Sequence, residues 1–311
     1  MTGSKVHKIT VRQIKQQSQQ LANTSDNGVA KNALPAFWIT DWLLHVLDKP
    51  ALFLITDEAY ELSDKEEAQF NAGVTKMQQG TPLAYLTGHQ AFWSLDFQVN
   101  KHTLIPRPDT EILVEQVLSW INEQRAFDDA TLEHSDNSNK RLLDLGTGSG
   151  CIAISLAHEF SQNNWPDSWQ VVAVDLSVQA LEVARHNAVA NQIAHIEFLQ
   201  SSWYDALSTD PVQRFDVIVS NPPYIDETDD HLANLQAEPM SALSAPNHGL
   251  ADIEHIVQQA PQYLHTGGLL AIEHGYDQGA IVRQLFLNNG FRSVTTIQDF
   301  GGNDRVTLGQ I

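Results

Sequence analysis

Beyond Lys140, short apolar runs alternate with helical segments, and that alternation limits the possible folds more than any other feature. Arg141–Leu145, Val171–Val174, Ile196–Leu199, Phe215–Val219 and Leu269–Ile272 are rich in Val, Ile, Leu and Phe, as strands covered on both faces are. Cys151–His158, Val178–Asn187, Ile253–Leu264 and Gly279–Asn288 read as helices, and Val294–Gln298 and Val306–Gly309 close the chain as strands. This order predicts an α/β domain with a mainly parallel, doubly wound sheet, whose ligands sit beyond the carboxyl ends of the strands.

The first 80 or so residues predict a small helical bundle. Val6–Ala22 is polar with spaced apolar positions, and Leu34–Leu47 gathers Phe37, Trp38, Trp42, Leu43, Leu44 and Leu47 as on a buried helix. Pro35 suits its first turn. Ser63-Asp64-Lys65-Glu66 has the form of a capping box and opens a third helix ending near Gly80. Ala91-Phe92-Trp93 and Phe97-Gln98-Val99, around Ser94-Leu95-Asp96, predict a β-hairpin. Residues 126–140 are polar and predict a surface loop. The expected organisation is a helical substrate-recognition domain over residues 1–84, a hairpin linker over 85–106 and a catalytic domain over 107–311.

With 42% hydrophobic residues in 311, a sizeable core can form. Apolar runs such as Ala51–Ile55 are too short to span a bilayer, and Met-Thr-Gly-Ser-Lys at the start leads into no apolar segment. The single cysteine, Cys151, excludes an internal disulfide and a cysteine metal cluster; it reads as a small buried hydrophobe. A soluble, cytoplasmic monomer is expected. The formal charge is −20, of which −1 falls on residues 1–85 and −19 on residues 86–311. Such a field repels a phosphate backbone and attracts a basic protein segment.

Leu142-Leu143-Asp144-Leu145-Gly146-Thr147-Gly148-Ser149-Gly150 is a strand, a glycine loop and a helix start. The spacing is G-x-G-x-G, not the dinucleotide G-x-G-x-x-G. The acid before it, Asp144, would repel a diphosphate and suits a ligand with a cationic amino group, such as the methionine part of S-adenosylmethionine. The second strand ends at Asp175, where nucleotide-binding sheets place a carboxylate for ribose hydroxyls. After the third strand comes Ser201-Ser202-Trp203, beside the expected adenine, which Trp203 could cover.

The fourth strand runs into Asn221-Pro222-Pro223-Tyr224. Two prolines stiffen the loop and leave carbonyls without competing N–H groups. Asn221 Oδ1 and the Pro222 carbonyl could each accept one N–H of a planar –NH₂ group, with Tyr224 against its flat face. Two fixed acceptors would aim the nitrogen lone pair at a sulfonium methyl and stabilise the charge growing on nitrogen. No metal or covalent nucleophile is needed. The loop alone does not separate an amide from an aromatic amine.

Arg107-Pro108-Asp109-Thr110-Glu111, the Asp144–Gly150 loop, Asp175, Asn221–Tyr224, Glu238-Pro239 and Asp304-Arg305-Val306 stand in an order that resembles the peptide chain release factor N5-glutamine methyltransferases. Pro82-Leu83-Ala84-Tyr85-Leu86 and the hairpin extend the match to residues 80–311. The resemblance implies a Rossmann-like, seven-stranded class I methyltransferase domain, its last strands antiparallel, acting on the glutamine of the Gly-Gly-Gln loop of class 1 release factors. It implies that Gly146, Thr147, Gly148, Ser149, Gly150, Asp175, Trp203 and Asn221 contact the cofactor, and that Asn221, Pro222, Pro223 and Tyr224 bind the glutamine. Ser202 departs from the pattern: relatives often carry an acid there. Arg107–Glu111 reads as a structural lid and His274 as structural. Rival readings are glutamine methylation of a ribosomal protein, adenine-N6 methylation of nucleic acid, which the −19 half disfavours, and a module that senses the cofactor without turnover.

Overall fold

The computed structural model describes residues 8–23, 34–131, 140–163, 169–209 and 212–311. The chain divides into two compact units, Met1–Gly88 and His89–Ile311.

The first unit is helical: α1 (Val11–Asn23), α2 (Ala36–Leu47), α3 (Phe53–Thr56), α4 (Asp64–Gln78) and α5 (Leu83–Thr87). Helix α1 starts later than the apolar spacing suggests, because Thr10 and Gln13 cap it reciprocally; Val6 lies outside the described residues. The Ser63–Glu66 capping box forms as predicted and satisfies two otherwise orphaned amides, worth about 1 kcal/mol. Trp42 lies flat on α4, where a Cβ at Gly73 would fall 2.1 Å from its ring, and its Nε1 donates to the Phe70 carbonyl. Leu43, Leu47, Leu62, Phe70 and Met77 complete that core. Phe37 is the exception on α2: it is 61% exposed.

The second unit opens with the hairpin of β1 (His89–Phe92) and β2 (Leu95–Gln98). Its turn is Trp93-Ser94, both residues left-handed, one position before the expected one. Such two-residue turns usually carry Asn-Gly; here Trp93 is held from outside, its backbone N–H donating to Glu111 and its indole N–H to Glu159. A 3-10 turn, Pro108–Thr110, leads into α6 (Glu111–Thr131). The loop expected over residues 126–140 is therefore helical to Thr131, and Lys140 already belongs to a strand. Once Ile112, Leu113, Val117 and Ile121 have buried one face of α6, polar residues extend it at little cost, because propagation needs no new nucleus. The middle of that loop, residues 132–139, lies outside the described residues.

Then follow β3 (Lys140–Leu145), α7 (Cys151–Gln162), β4 (Trp169–Asp175), α8 (Val178–Ala190), β5 (Ile196–Gln200) and β6 (Phe215–Ser220). Two short strands, β7 (Ile225–Asp226) and β8 (Ser244–Ala245), pair in parallel apart from the main sheet. One turn, α9 (Pro246–Gly249), precedes α10 (Ala251–Tyr263), β9 (Leu264–Glu273), α11 (Gly279–Asn288), β10 (Arg292–Gln298) and β11 (Asp304–Gln310).

The main sheet has the order β10-β11-β9-β6-β3-β4-β5; β11 alone is reversed, pairing antiparallel with both β9 and β10, as the class I methyltransferase fold requires. Alternate strand residues face opposite cores. Leu142, Val171, Val217 and Ala271 pack with α6 and α7, while Leu143, Val172, Ile218 and Leu270 pack with α10 and α11. Each fully buried aliphatic side chain contributes about 1.5–3 kcal/mol. From β3 the chain winds outward to β5, then returns to place β6 on the other side of β3. That reversal is the switch point where doubly wound sheets bind ligands.

Candidate active site

Strand register lines up the site. Leu145 pairs with Val174 on one side and Ser220 on the other, and Ser220 pairs with Ile272. The next residues in each strand direction are Gly146, Asp175, Asn221 and Glu273, so all four emerge in one row at the carboxyl edge.

The glycine loop is bound to its neighbours through the backbone. Gly146 and Thr147 donate to the Val174 carbonyl, and Gly148 donates to Asp175 Oδ2 at 2.8 Å. Asp175 Oδ1 accepts from Ser177 N at 2.8 Å, so each oxygen keeps a lone pair for a further donor. Gly146, Gly148 and Gly150 all have positive φ, and a Cβ at Gly148 would point into open space. Gly150 begins α7 and packs on Ala184.

Asp144 lies behind this loop, fully buried, with Oδ2 accepting from the Thr147 hydroxyl at 2.6 Å and Oδ1 without a partner. Burial pushes its pKa up to about 7. It does not line the cavity, so its reach to a ligand's ammonium is through Thr147 and through space. Cys151 does line the cavity, but burial pushes its thiol up to about 12 and keeps it protonated.

The Asn221–Tyr224 loop is clamped at each end. Asn221 Nδ2 donates to Thr110 Oγ1 at 3.1 Å. Tyr224 Oη donates to Glu273 Oε1 at 3.2 Å, and the Tyr224 carbonyl accepts from Gln278 Nε2 at 2.9 Å. Gly249 passes so close beneath that a Cβ there would fall 2.0 Å from this carbonyl. Ile225 continues into the β7–β8 pair, its N–H donating to Leu243. Glu273 is buried; desolvation raises its pKa to about 7 against the pull of Thr110, Arg305 and Tyr224.

A cavity of about 530 Å³ opens over this row, within the roughly 300–1,000 Å³ of small-molecule sites. Its walls include Gly146, Thr147, Gly148, Ser149, Asp175, Trp203, Asn221 and Pro223, while Gly150, Pro222 and Tyr224 do not line it. The Trp203 ring rests on the glycine loop, 3.3 Å from where a Cβ of Gly146 would be, and its Nε1 donates to Asp252. Arg107 and Pro239 border the same cavity, and Arg107 is ion-paired to the buried Glu238, joining two distant motifs into one wall. A glycine cradle open to the cavity, a carboxylate at the end of β4 and an aromatic wall fit S-adenosylmethionine.

The methyltransferase domain family matches residues 136–301 and the PrmC N-terminal domain family residues 25–88. The release factor glutamine methyltransferase of Aliivibrio fischeri is 43% identical over 86% of this chain and 87% of its own. That of Escherichia coli K12 is 43% identical over 86% and 89%. The chain belongs to the release factor glutamine methyltransferase family. It is an enzyme of the class that uses S-adenosylmethionine as methyl donor. Among solved structures, the hMettl16 catalytic domain in complex with a MAT2A 3'UTR hairpin superposes with a TM-score of 0.51, covering 70% of this chain and 76% of that one. At 14% identity it shows the fold alone.

Sequence reading missed Thr110 as the partner of Asn221, and it missed Glu273, Gln278 and Gly249 altogether as supports of the family's proline loop. Thr110 lies within the Arg107–Glu111 motif, which names no partner for it, and Glu273, Gln278 and Gly249 stand in no local pattern that marks them as supports of that loop. His274 is structural as read: it is fully buried, with Nε2 against Thr307 Oγ1 at 2.8 Å and Nδ1 against the Gly275 carbonyl at 2.9 Å.

Proposed function

We propose that this chain methylates the side-chain amide nitrogen (N5) of the glutamine in the Gly-Gly-Gln loop of class 1 peptide chain release factors. The observation that carries the reading is Asn221. It lines the cavity, and its Nδ2 is engaged by Thr110, which supports a reading in which its Oδ1 is left to act as an acceptor. The cofactor, when bound, supplies a methyl group already activated by its sulfonium. Gly146–Gly150, Asp175, Trp203 and Asn221 hold that cofactor. Asn221 Oδ1 and the Pro222 carbonyl take the two amide hydrogens, which localises the nitrogen lone pair and aims it at the methyl. Pro223 stiffens the loop, and Tyr224, pinned by Glu273, forms its far side.

In this reading residues 1–84 grip the release factor, residues 85–106 link, and residues 107–311 carry the chemistry. The −19 charge of residues 86–311 favours a basic protein segment over a phosphate backbone. Among the described residues no helix is long and apolar enough to cross a membrane. Translation termination places the work in the cytoplasm, and one chain contains every residue invoked, so a monomer suffices. The test is Asn221→Ala: transfer to a release factor should fall by at least a hundredfold while S-adenosylhomocysteine binding, weakened by the lost contact, stays measurable by calorimetry. Wild-type turnover in that variant would remove the proposed role.

A further inference from the structure

Ser202 and Trp203, which follow β5, form one wall of the cavity. Ser202 is exposed, and the neighbouring Ser201 is used internally, its hydroxyl donating to the Trp203 carbonyl and accepting from Ala206 N. Neither serine offers a carboxylate to a base.

Asp252 does. It sits in the first turn of α10 and lines the cavity together with Ser202 and Trp203. Its Oδ1 accepts from Trp203 Nε1 at 3.2 Å, which leaves Oδ2 for a second donor. The Trp203 indole is fixed at both ends, by the glycine loop and by this carboxylate, and its backbone is left-handed. Such a conformation in an aromatic residue persists only where surroundings enforce it. The direction of the ligand is set by the sheet: the glycine loop follows β3, Asp175 follows β4 and Ser201–Trp203 follows β5. A nucleoside whose ribose lies at Asp175 therefore extends its base toward Trp203 and Asp252.

We propose that Asp252 reads the exocyclic amine of the cofactor's adenine, supplying from α10 the carboxylate that Ser202 lacks after β5. This rests on the reading of the cavity as the S-adenosylmethionine site. The amine carries two N–H donors; a half-buried carboxylate accepts one strongly, and a base without the amine leaves that carboxylate desolvated and unmatched.

The test compares two ligands by calorimetry: S-adenosylhomocysteine and its analogue with hydrogen in place of the 6-amino group. The wild-type chain should prefer the amine by about 10–100-fold. In Asp252→Ala and in Asp252→Leu, which keeps bulk, the preference should fall to within about threefold. Loss of the Trp203 anchor alone would weaken both ligands equally and leave their ratio unmoved, so the ratio separates recognition from support. An undiminished ratio in both variants overturns the assignment of Asp252 while leaving the cofactor site standing. Failure of the wild-type chain to bind S-adenosylhomocysteine at all overturns the cofactor reading and this inference with it.

Discussion

Tyr224 and Glu273, 49 positions apart, meet through a 3.2 Å hydrogen bond from the phenol to Oε1 of a fully buried carboxylate. The other oxygen, Oε2, is buried without a partner. Parallel pairing of β6 with β9 produces the contact, because it sets the start of the proline loop beside the end of β9. Asn221 is held at the other end of the loop by Thr110. The proline loop is thus anchored at both ends, by the Thr110 hydroxyl at Asn221 and by the buried Glu273 at Tyr224.

That acid makes a pH signature. Its pKa is raised from 4.5 to about 7, chiefly by burial, with Thr110, Arg305 and Tyr224 opposing and Asp109 adding to the rise. A raised carboxylate pKa means that the folded chain holds the proton more tightly than the unfolded one. The stabilisation is complete below about pH 4.5 and is lost as pH rises toward 7, on the order of 2–3 kcal/mol. Asp144, raised to about 7 by burial, acts in the same sense. In urea titrations of the cofactor-free protein from pH 5 to 8, Glu273→Gln should flatten part of this fall. Identical pH slopes in the two proteins would contradict the account of Glu273.

Gly249 tests the clamp sterically. Its φ is +77°, and a Cβ would meet the Tyr224 carbonyl at 2.0 Å. Gly249→Ala should cost on the order of 3 kcal/mol, from left-handed strain and overpacking together. Gly302, at φ +82° with nothing within 4 Å, provides the control, and Gly302→Ala should cost about 1 kcal/mol. Equal denaturation midpoints for the two variants would show that the loop is free to move away.

Asp175 is anchored by Gly148 N and Ser177 N, with lone pairs to spare for a ribose diol. Asp175→Ala should weaken S-adenosylhomocysteine binding by about 10–100-fold in calorimetry. Unchanged affinity would count against the ribose assignment.

The strands and the glycine loop were legible because their signals are local: apolar runs for a doubly covered sheet, and glycines where φ turns positive. Trp93-Ser94 was misplaced because a turn of that kind normally shows Asn-Gly, and here Glu111 and Glu159 hold it from elsewhere in the chain. Residues 126–131 looked like loop because polarity was read as irregularity, although helix propagation needs no apolar face at its end. Glu273, Gln278, Gly249 and Thr110 were illegible for another reason. Each acts on the proline loop from 25 or more positions away, through register and packing that only the folded sheet creates. Asn221, Pro222, Pro223 and Tyr224 announced a planar –NH₂ group; what keeps them rigid was invisible.

The most direct test of the central claim is transfer of labelled methyl from S-adenosylmethionine to three acceptors: a class 1 release factor, its Gly-Gly-Gln variant with Gln→Ala, and DNA or RNA. Label is expected on the intact release factor alone, located on the glutamine side-chain amide. Label on nucleic acid with none on the release factor, or equal label on the Gln→Ala variant, would contradict it.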